Sequence, residues 1–198
     1  MINWALFSSK HYSKEQWAFE NLAYYLFCSE HNIVTGIFRY KNQAGIETEP
    51  VITSSGVLGF QAKYVKSVSS EKNDIIDSIK KAVNHYPNLT CVFLYVNEEL
   101  SSKSGKPNYQ IEIENAATSR NISLEWRVPS NIEYQLSLPK NRWIHNLFFE
   151  DNPMSPDFFQ DQVKKNVANL GPRFLQEKNV ELPIATTFDI LSKSKEYI

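Results

Sequence analysis

Cysteine is scarce: the 198 residues hold only Cys28 and Cys91. Two thiols cannot staple a disulfide scaffold, so a reducing, cytoplasmic setting is expected. Histidine is sparse too. His11, His31, His85 and His145 are scattered, and no CxxC or HExxH spacing occurs, so no structural zinc is expected. Six glycines and nine prolines rule out collagen-like and low-complexity chains. No apolar run approaches the ~20 residues of a membrane span. Met1-Ile2-Asn3-Trp4 lacks the basic-then-apolar start of a signal peptide, so no membrane contact is expected. An excess of positive charge is missing as well. Lys and Arg number 21 against 22 Asp and Glu, a net charge of −1, which excludes a polycationic nucleic-acid coat. It leaves open an enzyme whose positive charge is gathered in one cleft. No GxxxxGK[ST] loop is present, so ATP hydrolysis is not expected of these residues.

What is present is enough apolar matter for one ordinary domain. Hydrophobic residues make up 42%, and twelve Phe, ten Tyr and four Trp make the core bulky. Residues 13–28 read as a helix, with Ser13 and Gln16 spaced as a capping box. It is apolar on most sides, so it should be buried. Three strands follow, over 32–40, 46–53 and 57–65, joined by short turns as an antiparallel meander. A helix over 71–85 carries Ile75, Ile76, Ile79, Ala82 and Val83 on one face. Residues 90–96, TCVFLYV, form a continuous apolar run, hence a strand buried on both faces. A helix over 108–120, a strand over 123–128 and short helices over 131–138 and 141–149 complete a first domain, 1–149. Residues 150–198 read as a C-terminal helix, capped by Ser155-Pro156 and ended by Gly171-Pro172, and a linker. The order predicts an α/β fold: an αβββαβ core whose central mixed sheet is flanked by helices.

The chemistry is concentrated in two stretches. Strand alternation puts Gln61 and Lys63 on one face and leaves Leu58, Phe60, Ala62 and Tyr64 on the other. In the preceding strand Glu47 and Glu49 share a face. Glu20 is the acid nearest the middle of the first helix. Two acids, an amide and a lysine meeting from a helix and two strands suit a hard cation, because Mg²⁺ takes oxygen ligands and keeps several waters. Gln61 would supply a neutral carbonyl oxygen, and Lys63 would orient or deprotonate a water or hold phosphate oxygens. The bland alternative is an exposed lysine beside an incidental amide.

Glu20, then Gly45-Ile46-Glu47, then Gln61-Ala62-Lys63 after a gap of 13 residues resembles the PD-(D/E)xK nuclease pattern in its Mrr-type QxK form. The resemblance covers about residues 13–128 and implies the restriction-endonuclease-like αβββαβ core. It implies Glu47 as the central metal-binding acid, where the family more often has Asp, with Glu49 as a rival. Gln61 and Lys63 then form the third motif, Glu20 is the helix acid, and Mg²⁺ or Mn²⁺ is held by Glu47, Gln61 and Glu20. Asn169-Leu170-Gly171-Pro172-Arg173-Phe174 and Asn179-Val180-Glu181-Leu182-Pro183-Ile184 resemble the segment joining an effector nuclease to the NTPase core of AVAST-type STAND anti-phage proteins. Together these imply a metal-dependent endonuclease acting on double-stranded DNA. It would be activated when an attached C-terminal sensor and NTPase region forms a homo-oligomer. The alternative is a catalytically inactive nuclease-fold module that binds nucleic acid or mediates assembly.

Overall fold

The computed structural model describes residues 2–33, 44–101 and 105–150. Contacts divide the chain into Met1–Pro153 and Met154–Ile198, and every described residue belongs to the first unit. Most of the expected strand over 32–40, and the helix, linker and tail motif beyond 150, lie outside the described residues.

The described fold is α/β. Helices α1 (Trp4–Lys10) and α2 (Glu15–Glu30) precede strands β1 (Val51–Thr53) and β2 (Gly56–Lys63). Then come α3 (Lys72–His85), β3 (Cys91–Val96), α4 (Asn108–Thr118), β4 (Ser123–Arg127), α5 (Pro129–Ser137) and α6 (Arg142–Phe149). The strands form one mixed sheet in the order β1-β2-β3-β4. β1 is antiparallel to β2, while β2, β3 and β4 run parallel. Parallel neighbours need crossovers, which α3 and α4 supply. Among the described residues no helix is long and apolar enough to cross a membrane.

Two apolar layers sandwich the sheet. Leu58, Phe60, Ala62, Phe93 and Tyr95 pack with α1, α2, α5 and α6. Val92, Leu94 and Val96 pack with α3 and α4. β3 is therefore buried along its whole length, as its unbroken apolar run requires. α3 is amphipathic, burying Ile75, Ile79 and Ala82, and Ile76 and Val83 are partly buried beside them.

Two expectations are corrected, and one helix is added. The N-cap of α2 is Lys14, without a side-chain cap, and Ser13 takes φ 63 in the left-handed region. Ser13, in that left-handed backbone, lies one residue ahead of the N-cap and does not cap the helix. The strand expected over 46–53 is shortened to Val51–Thr53, and residues 44–48 are bends. Pro50 offers no N–H to a ladder there. Finally, α1 was not anticipated. Its Asn3 side chain accepts from Leu6 N at 3.0 Å, a local cap that a short aromatic segment hides from periodicity.

Gly45 sets the approach to the bend. Its φ is +77, and an added Cβ would stand 2.0 Å from Ser78 O of α3. Only glycine permits both the left-handed backbone and that close passage. Gly45→Ala is expected to lower stability by at least about 2 kcal/mol, read as a fall in the urea midpoint at unchanged slope.

Candidate functional site

The candidate site follows the outer edge of β2. That strand pairs with β1 only through Gly56–Leu58. Beyond Leu58 its edge groups find other partners, as buried backbone groups must. Phe60 O accepts from Glu47 N at 2.9 Å. Ala62 O accepts from Gln16 Nε2 at 2.9 Å, and Tyr64 N donates to Gln16 Oε1 at 2.7 Å. The amide of Gln16 thus stands in for a strand. The same Nε2 donates to Glu20 Oε1 at 2.9 Å. Gln16 therefore ties Glu20 to the rung next to the one that binds the main chain of Glu47. Successive rungs on one edge are about 7 Å apart.

The bend at Glu47 has a register consequence. The Val51↔Leu58 pairing, continued without a break, would set residue 47 opposite residue 62. The Glu47 bond goes instead to Phe60, two residues short. The segment 48–50 is bulged, and strand alternation does not dictate the direction of Glu47 or Glu49. Glu47 is half-buried, while Glu49 is exposed ahead of Pro50.

Gln61 and Lys63 do share a face. Their register partners, Leu94 and Val96, belong to the layer of α3 and α4. Glu20 sits on α2, which covers the opposite face and reaches β2 around its edge. Gln61 is 3% exposed, and among the described residues its Oε1 has no hydrogen-bond partner. Lys63 is half-buried at the strand end, and among the described residues it makes no ion pair. Its backbone is held on both sides. Gln16 binds at Ala62 and Tyr64, and Asn97 accepts from Val65 N at 2.7 Å and donates to Val65 O at 3.0 Å.

Among the described residues Gln61 is the one expected ligand whose oxygen is both buried and open to a cation, while α2 holds Glu20 on the layer that covers the other face of the sheet. A buried carbonyl oxygen without a donor costs about 1–3 kcal/mol, and Mg²⁺ accepts neutral oxygen beside carboxylates. Among the described residues no group of three or more His, Cys, Asp and Glu side chains forms a metal cluster.

Two features escaped the sequence reading. Thr48 is fully buried beside Glu47, and among the described residues its Oγ1 has no partner. The second is a polar cluster at the far edge of the sheet. Arg127, at the end of β4, pairs through Nη2 with Glu30 Oε1, and its Nε donates to Glu30 Oε2 at 3.0 Å. Gln135 Nε2 donates to the same Oε2 at 2.6 Å. A cavity of about 390 Å³ opens beside them, with Tyr134 and Lys140 in its lining. No short motif announces this cluster, because its members come from α2, β4 and α5.

The cluster makes the fold acid-sensitive. Burial pushes the Glu30 carboxyl up, but the hydrogen bonds and charge of Arg127 and the amide of Gln135 outweigh it and hold the pKa below 4.5. A carboxylate so depressed contributes stability that is whole above its ordinary pKa and lost as pH falls through the folded value. Burial also holds His31 below 6.5, against the pull of Glu30. The unfolded chain therefore takes up that proton first, and stability begins to fall as pH drops below 6.5. The melting temperature is expected to decline from pH 7 to pH 4, steepening at the acid end. Glu30→Gln should cost roughly 2–3 kcal/mol at pH 7 by stranding Arg127, and should flatten the acid end of the profile.

A scan against family models returns no match for this chain, and no curated protein matches it.

Proposed function

We propose that the chain is a metal-dependent DNA endonuclease domain of PD-(D/E)xK type, hydrolysing phosphodiester bonds as an effector in anti-phage defence. The observation that carries the reading is the buried carbonyl of Gln61, which has no partner among the described residues. It shares a face with Lys63, at the edge where Glu47 and Glu20 are tied to β2. A structural glutamine would be expected to satisfy its oxygen, whereas a ligand keeps it available.

In this reading Glu47 and Gln61 would hold Mg²⁺ or Mn²⁺, and Glu20, on the helix that covers the other face, would join them from around the edge of β2. When bound, the cation neutralises charge on the phosphate and lowers the pKa of water. The rest belongs to the protein. Water adds to phosphorus, the P–O bond to the leaving oxygen breaks, and a proton passes to that oxygen. Lys63 donates hydrogen bonds to the attacking water or to a non-bridging oxygen as negative charge accumulates there. Gln16 positions Glu20, and Asn97 fixes the chain just after Lys63. The net charge of −1 leaves the lone domain with little attraction for DNA. That fits an effector switched on when an attached C-terminal region gathers several copies. The test is cleavage of supercoiled plasmid at low salt with Mg²⁺ or Mn²⁺, with Lys63→Ala alongside.

A further inference from the structure

Two large aromatic side chains stand in solvent around the start of α2. Tyr12 is 81% exposed and Trp17 is 63% exposed. The other tryptophans are engaged. Trp4 packs edge-on against Phe7, Trp143 against Tyr25, and Trp126 donates to Glu114. Trp17 follows Gln16, the residue that closes the edge of β2, and precedes Glu20 by three positions. Residues three apart on a helix are neighbours, with Cβ atoms about 5–6 Å apart. Trp17 thus lies within one helical turn of the helix acid of the site. Between the two aromatics in sequence lies Lys14, exposed at the N-cap with no side-chain cap bond. Lys63 lies at the end of the strand that Gln16 closes.

We propose that Tyr12 and Trp17 form a stacking platform for unpaired bases, with Lys14 on the phosphates, so that the preferred substrate is a strand exposed as a single strand, overhang or bubble. This rests on the nuclease reading above and narrows its substrate. Aromatic side chains interleaved with lysine are the chemistry by which proteins hold single strands, since every base has a π-face and every linkage a charge. A closed duplex offers base edges and backbone but hides those faces. An aromatic surface beside a phosphate-cutting edge therefore favours the open strand.

The test uses the 198-residue chain carrying Lys63→Ala, so that nothing is cut, with and without Trp17→Ala or Trp17→Phe. Fluorescein-labelled dT16, rU16 and a closed DNA hairpin of similar charge are titrated at low salt by anisotropy. The inference expects dT16 and rU16 to bind more tightly than the hairpin. Trp17→Ala should weaken the single strands roughly 5- to 100-fold, the effect of losing one stacked base. Trp17→Phe should keep most of the affinity, and hairpin binding should not change. Because Trp17 is exposed, its replacement should leave the far-ultraviolet spectrum and the melting temperature nearly unaltered. Equal binding of strand and hairpin, no binding of either, or indifference to Trp17→Ala overturns the platform. So does a change in sedimentation of the free protein with Trp17→Ala, which would make the patch a self-association surface. Lys63-dependent plasmid cleavage without any Trp17 effect leaves the nuclease standing and removes only the platform. Trp17-dependent strand binding without cleavage does the reverse.

Discussion

Lys63→Ala is expected to lower plasmid cleavage by about 10²–10⁴-fold, the range for removing a positioned acid–base or charge-stabilising group. The same substitution should move stability by no more than about 0.5–1 kcal/mol. Lys63 is half-buried, and among the described residues it makes no ion pair. The contrast is what matters. A lysine that merely finishes a strand would leave both quantities unchanged. A lysine that supports the fold would change both. Only a catalytic lysine separates them. Glu47→Ala and Glu49→Ala extend the measurement to the rival acids. Glu47 hangs from the rung at Phe60, while Glu49 is exposed before Pro50, so loss of cleavage should follow Glu47. Loss with Glu49→Ala alone would transfer the role. If the unaltered chain fails to cleave with either metal, the same pair is measured with an attached C-terminal sensor region, and failure there makes the inactive nuclease-fold module the better reading.

Much of the frame was legible because it rests on period. The continuous apolar run of β3 declared a strand buried on both faces, and the spacing of Ile75 and Ile79 declared the buried face of α3. Alternation along β2 correctly paired Gln61 with Lys63, since a regular ladder enforces it. Legibility stopped where regularity stops. Residues 46–48 read as strand from composition, yet the left-handed Gly45, the bulge and Pro50 make them bends. The face of Glu47 was therefore not deducible. Gln16 was misread for a different reason. A capping box and a side chain closing a sheet edge look identical in sequence, and only the tertiary position of Tyr64 distinguishes them. The Glu30–Arg127 pair joins residues 97 apart, a separation no local pattern encodes.

Gln61→Leu is expected to act in opposite directions on stability and activity. Gln61 Oε1 is sealed from solvent and, among the described residues, without a donor, beside Leu94 on the neighbouring strand. An apolar side chain of similar length removes that unsatisfied acceptor and should raise stability by about 1 kcal/mol, or about 2–4 °C in melting temperature for a domain this size. If the oxygen serves a cation, the same change should reduce cleavage by at least about tenfold and abolish any rise in melting temperature on adding Mg²⁺. Stabilisation with activity lost is the mark of a residue kept for function against the interest of the fold. Gln61→Glu separates this from simple repacking. Without metal, a carboxylate buried there lacks compensation and should lower stability, more so as pH rises and the group ionises. Added Mg²⁺ should restore much of that loss and do so more strongly than in the unaltered chain, because the site gains a charged ligand. A Gln61→Glu chain that Mg²⁺ leaves unchanged would remove the metal from this edge, and with it the assignment of Glu47 and Glu20.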